Sequence, residues 1–286
     1  MTDGHSSANL TSLVSVLGGI ANTTQGMTLL GHLGTGNKTV FAPSNAAFAK
    51  VDAATAMNTT LLTEIVAYHI LNNTYTMGGI AVTPANTIAR TLLNFDGFNL
   101  PGNHSSPLVL SRNSTKATSF FIDQAEDNVT TTGPVSVANL QLYIIDEVLR
   151  LPTFSFNAVK LVDTPLDGLV NMTSSLYNKL DGSLALTIFA PTAASITAAM
   201  SLTSSLNSTQ IFRVLENHVV NGTIVYSPDL LTRNYTSQGG QPISVMSNSS
   251  GTFVTSGATT AMIVKTDTIL KNGVVHVNKP LSLFTA

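Results

Sequence analysis

Apolar positions along the chain form three blocks that occur twice, in the same order. Thr39-Val40-Phe41-Ala42-Pro43-Ser44 returns as Thr187-Ile188-Phe189-Ala190-Pro191-Thr192. The β-branched and aromatic residues predict a short strand, ended by the proline. Ser44 or Thr192 is then placed to cap a following helix, which carries Phe48 and Val51 in the first copy. In the second block Leu62, Ile65, Val66, His69 and Ile70 have the spacing of a buried helical face over 61–71, with Asn58 as its N-cap. Ile211, Val214, Leu215, His218 and Val219 repeat that face behind Asn207, and Asn72-Asn73-Thr74 then matches Asn221-Gly222-Thr223. The third block is an apolar strand, with Leu142 to Leu149 aligned on Val274 to Leu281. Segments around Phe120-Phe121-Ile122 and Phe253-Val254 also read as strands.

Three blocks in one order indicate duplication. Short helices open each copy and strands dominate its later part, which predicts an α+β fold. The boundary falls near Leu151-Pro152-Thr153, giving domains 1–151 and 152–286 with a short linker between Arg150 and Phe154. The first copy carries extra residues between its second and third blocks, within about Thr83 to Thr131.

Composition adds a setting. Charged residues make up 10% of the 286, and the net charge of −2 gives no field that would attract nucleic acid. Ser, Thr and Asn number 28, 39 and 24, so the polar surface is mostly uncharged. Sequons occur at Asn9, Asn22, Asn37, Asn58, Asn72, Asn103, Asn113, Asn128, Asn171, Asn207, Asn221, Asn234 and Asn248. Chance in a chain of this composition gives roughly five or six. The excess predicts a secreted glycoprotein. The ends show neither a signal-peptide pattern nor a lipid-anchor tail, and no apolar run reaches membrane-spanning length, so the chain reads as an ectodomain without its targeting ends.

Candidate chemistry is sparse. With no cysteine, disulfides and thiolate chemistry are excluded. The six histidines lack zinc-site spacing, and no Gly-x-Ser-x-Gly elbow is present. Gly31 to Thr39 superficially matches a phosphate loop, but Asn37 interrupts it and a strand follows, which makes it a turn. Asp123, Glu126 and Asp127 form an acidic cluster without a calcium-loop spacing. No cofactor or metal is expected, and the lack of catalytic motifs favours binding over catalysis. His69 and His218, at one position of the repeat, are candidate binding residues together with Tyr68; the competing reading is a buried imidazole bonded to backbone.

Thr39 to Phe48, the Tyr68-His69 pair and Tyr143 to Leu149 resemble the signature blocks of fasciclin-like domains, and the resemblance covers nearly the whole chain. In the second copy Ala193, Ile196 and Asn217 stand for Asn45, Phe48 and Tyr68, and Pro280 for Val148. The resemblance implies two wedge-shaped β-sandwiches, each flanked by several helices. It also implies extracellular adhesion with cell-wall or matrix polysaccharide, glycoprotein or another surface protein as partner, often in a lipid-anchored parent chain. The sequon density and lack of cysteine are similar to those of fungal members. Two functions fit. One is a cell-surface or cell-wall adhesion module acting through surface patches in the later part of each domain. The other is an auxiliary protein or enzyme that holds small aromatic metabolites beside a secreted oxidase. The second predicts a sizeable pocket at the domain junction or lined by Phe95, Phe98, Phe120 and Phe121, with the extra residues as its lid.

Overall fold

The computed structural model describes residues 10–125, 127–154, 180, 182–197 and 207–280. Asn9, Glu126 and Asn171 lie outside these residues. The chain divides into two compact units, 1–99 with 103–151 and 152–286 with 100–102.

The first unit opens with helices α1 (Thr11–Ile20) and α2 (Thr24–Leu33). The Thr23 side chain accepts from the Gly26 N–H and caps α2. A Cβ on Gly26 would lie 2.0 Å from the Ile20 carbonyl oxygen, so the tight α1–α2 corner requires glycine there. Strand β1 (Lys38–Pro43) follows, then α3 (Asn45–Phe48), α4 (Ala53–Met57) and α5 (Thr59–Tyr68). Ser44, Asp52 and Asn58 cap these three helices through their side-chain oxygens. Helix α5 ends at Tyr68. Ile70, expected on the helical face, lies instead in strand β2 (Ile70–Leu71) and pairs with Val40.

Strands β3 (Thr87–Arg90), β4 (Pro107–Ser111), β5 (Phe121–Asp123), β6 (Asn128–Val137) and β7 (Leu140–Ile145) complete the unit. The sheet runs β2-β1-β7-β6-β5-β4-β3. Its β1–β7 pair is parallel, and the other pairs are antiparallel. The stretch from about Thr83 to Thr131, which holds the extra residues of the first copy, forms no lid: it runs through β3, β4 and β5 of this sheet, and the extra length lies in the loops between them.

The second unit repeats the plan. Strand β8 (Leu186–Pro191) is followed by α6 (Ser208–Glu216), β9 (Val219–Asn221), β10 (Tyr235–Thr236), β11 (Pro242–Asn248), β12 (Gly251–Ser256), β13 (Thr259–Leu270) and β14 (Gly273–Pro280). Seven strands stand in the corresponding order, with β8 and β14 parallel. The length difference sits in the connections: residues 91–106 join β3 to β4 where 237–241 join β10 to β11.

Register places the two halves in correspondence and shifts the third block by one residue. Phe41 pairs with Tyr143, and Phe189 pairs with His276. Pro43 pairs with Ile145, and Pro191 with Asn278. The structural counterparts are therefore Tyr143 with His276 and Ile145 with Asn278. The sequence alignment matched Ile144 and Asp146 to those two residues. Asp146 and Asn278 are chemically alike, but Asp146 lies just past the end of β7 whereas Asn278 lies within β14.

Candidate functional site

Each sheet is fixed to its helices by groups that the repeat preserves. Thr39 and Thr187 are fully buried on β1 and β8. The Thr39 hydroxyl donates to the Asn73 carbonyl at 2.9 Å and accepts the Tyr75 N–H at 2.8 Å. Thr187 does the same with the Thr223 carbonyl and the Val225 N–H, at 2.9 Å each. Sequence reasoning treated both threonines as strand formers. Their repetition at the head of the first block was the available signal for this clamp.

His69 caps α5 and is buried. Its Nδ1–H donates to the Ile65 carbonyl at 2.7 Å, and its Nε2 accepts the Leu149 N–H at 2.9 Å. The ring thus ties the helix end to the segment after β7. Burial pushes its pKa down to about 4, against a smaller opposing effect of the Ile65 carbonyl. The Tyr68 hydroxyl donates to the Pro107 carbonyl at 3.2 Å, and its ring is buried. His218 is half-buried and donates from Nδ1 to the Val214 carbonyl at 2.7 Å. Burial lowers its pKa too. Asn217, at the place of Tyr68, accepts from the Ser237 hydroxyl. In each unit the adjacent pair points into the fold and binds backbone or a neighbouring side chain.

An apolar cavity of about 40 Å³ lies among α1, α2, α3, α5 and β1, bounded in part by Leu17, Leu33, Val40, Phe48, Ile65 and His69. An apolar void that takes up benzene has roughly 150 Å³, so this one has no room for an aromatic ring. The four phenylalanines expected to line a pocket do not line it. Phe98 and Phe120 are core residues, Phe95 packs at the core margin, and Phe121 is half-buried on β5. Among the described residues, no three His, Asp or Glu side chains converge as a metal site. Asp123 instead accepts from the Ser111 hydroxyl at 2.9 Å.

One surface stands out on the first unit. On β6 and β7, Val135 pairs with Leu142 and Val137 with Leu140. Directly opposed residues share a sheet face, so these four side chains form one strip. Val135 and Val137 are each 52% exposed, and Leu140 and Leu142 are half-buried. β7 continues the strip to Val40, the register partner of Leu142. Strand β5 pairs only with residues 128–130 of β6, so β5 does not extend alongside the Val135–Val137 stretch. The same positions of the second unit are Thr268, Val275, Leu270 and Gly273, and all four are buried.

The fasciclin domain family matches residues 15–152 and again 165–281. A fasciclin-like arabinogalactan protein of the fungus Arthroderma benhamiae is 25% identical over 252 residues, covering 84% of this chain and 57% of its own. The immunogenic protein MPB70 of Mycobacterium bovis is 32% identical over 148 residues, covering 50% of this chain and 64% of its own. The chain thus spans less than two thirds of the length of either relative. The solved FAS1 domain pair of the insect cell adhesion molecule fasciclin I aligns with a TM-score of 0.43 at 16% identity, covering 94% of this chain and 96% of that one. By the two family matches, which together take in most of its length, the chain belongs to the fasciclin domain family and carries that domain twice.

Proposed function

We propose that the chain is an extracellular cell-surface or cell-wall binding module that adheres through the apolar strip of its first domain. The observation that carries this reading is the strip itself: Val135 and Val137 stand exposed over Leu140 and Leu142, where the second domain buries every counterpart. A contiguous exposed apolar strip, unlike single exposed apolar residues, marks an interaction surface. Val135 and Val137 lie in the later, strand-rich part of the domain. Family membership supports an adhesive role, and the fungal relative carries arabinogalactan in its name. Tyr68, His69 and His218 then hold the scaffold in shape, since their polar atoms bond within the chain.

Holding aromatic metabolites finds no support in the described cavity, which is too small for a ring. The test is adhesion of the secreted chain to immobilised cell-wall polysaccharide and surface glycoprotein. Val135→Lys with Val137→Lys is expected to lower binding at least about tenfold, the loss of roughly 1.4 kcal/mol. Unchanged binding by a folded double variant would remove the strip from the mechanism.

A further inference from the structure

We propose that the exposed sequon asparagines are N-glycan acceptors, and that at Asn58 and Asn207, the defining pair, the side-chain oxygen caps a helix while the nitrogen is kept for the sugar. All eleven sequon asparagines among the described residues are exposed. Of the other described asparagines, only Asn73, Asn94 and Asn99 are exposed; the rest are half-buried or buried.

The atoms divide in the same way. Asn58 Oδ1 accepts the Leu61 N–H at 3.0 Å, and Asn207 Oδ1 accepts the Gln210 N–H at 3.0 Å. Asn248 Oδ1 accepts the Ser250 N–H at 2.8 Å. Asn103 Oδ1 accepts from Asn94 Nδ2 at 3.0 Å. A backbone N–H can be met only by the oxygen, so the cap contacts themselves fix which amide atom faces inward. Outside the sequons asparagines do use the nitrogen, although the oxygens of Asn45 and Asn217 accept bonds as well. Asn139 Nδ2 donates to the Leu33 and Gly36 carbonyls, Asn272 Nδ2 to those of Leu180 and Ser183, and Asn45 Nδ2 to the Thr11 hydroxyl. Among the described residues, no sequon asparagine spends its Nδ2 in a hydrogen bond.

Asn58 and Asn207 hold equivalent N-caps, on α5 and α6. The donor is an activated oligosaccharyl diphosphate. Nδ2 forms a bond to the sugar C1, the C1–O bond to the diphosphate breaks, and the diphosphate leaves with the bonding pair while the amide gives up one proton. The product keeps Oδ1 and one N–H, so each cap remains intact under its glycan.

This inference rests on the extracellular reading, and the experiment separates the two. The full chain is sent through a eukaryotic secretory pathway by an added leader, and its glycopeptides are mapped by mass. Thr60→Ala and Thr209→Ala destroy the sequons and keep the caps. Asn58→Asp and Asn207→Asp keep the cap oxygen and remove the acceptor. Each of these is expected to lose one glycan mass with little change in Tm, whereas Asn58→Gln loses both glycan and cap and melts lower. Unmodified Asn58 and Asn207 in the secreted chain would overturn the proposal, as would a Tm loss in Thr60→Ala equal to that of Asn58→Gln. Finding the native chain inside the cell, with both sites modified after forced secretion, would sink the location and leave the acceptors standing.

Discussion

Phe41 and Phe189 occupy the same place in the two domains, and what lies across from them differs. In the first domain Phe41, Phe120 and Tyr143 form an aromatic cluster with ring centroids 4.8 to 6.2 Å apart. The Tyr143 hydroxyl leaves that cluster to donate to the Tyr75 carbonyl at 3.1 Å. In the second domain His276 takes the place of Tyr143, 5.5 Å from the Phe189 ring, and its Nε2–H donates to the Val225 carbonyl at 2.9 Å. Two residues of different chemistry thus answer equivalent carbonyls. The imidazole has a second nitrogen to satisfy. Nδ1 accepts the Asp267 N–H at 3.3 Å, and Asp267, at φ 62°, accepts the Ser227 N–H at 2.7 Å. Asn278 at the place of Ile145 adds a further buried polar group, and neither of its amide atoms has a partner among the described residues. The comparison teaches that one backbone plan tolerates either an aromatic or a polar interior, with different weaknesses.

The largest effect is expected from the aromatic cluster. Phe120→Ala should cost the first domain about 3–5 kcal/mol. In denaturant unfolding followed domain by domain, the second transition should stay in place; movement of both would mean that the cores are not separate.

Acid comes next. His69, His218 and His276 are all held neutral by burial, with the Asp267 charge opposing that at His276. Their folded pKa values lie below the ordinary 6.5, so the unfolded chain takes up protons first. Stability is full above about pH 6.5 and falls as pH drops towards the folded values. For His69, with a folded pKa of about 4, the full loss is about 3 kcal/mol. The second domain carries two such imidazoles against one and should open first on acidification, read by hydrogen exchange between pH 7 and 4. His276→Tyr copies the first domain and should move that opening to lower pH.

Asn278→Ile also copies the first domain. It removes two unpartnered buried atoms and should raise the stability of the second domain by about 1–3 kcal/mol. A loss of stability would show that the amide has a partner after all.

The threonine clamp is what the domains share. Thr39→Val and Thr187→Val each leave a buried N–H unmet and should cost about 1–3 kcal/mol, to a similar extent in both domains. Clearly unequal losses would break the equivalence. The strip sits at the small end for stability. Val135→Lys and Val137→Lys should each change it by less than about 0.5 kcal/mol, because exposed positions carry little of the fold.

Much of the fold was legible in the sequence. The Thr-x-Phe-Ala-Pro blocks marked β1 and β8, and Asn58 and Asn207 marked the helix starts. Phe121-Ile122 and Phe253-Val254 lay in strands as expected. The off-by-one alignment of the last block arose because Leu142 to Asp146 and Val274 to Asn278 are near-continuous apolar runs, in which only strand register says which side chain meets Phe41 or Phe189. The strip was hidden for a related reason. Val135, Val137, Leu140 and Leu142 alternate as core-facing residues do, and no periodicity tells a covered face from a bare one. Tyr68 and His69 drew notice as a pair, yet their partners at Pro107 and Leu149 lie far along the chain.

In the proposed function, binding runs through one face of one domain. The most direct measurement is hydrogen-exchange footprinting of the full chain with and without its surface ligand. New protection is expected at residues 133–142 and none at residues 268–275. Protection of both segments, or of neither while binding persists, would contradict the proposed function.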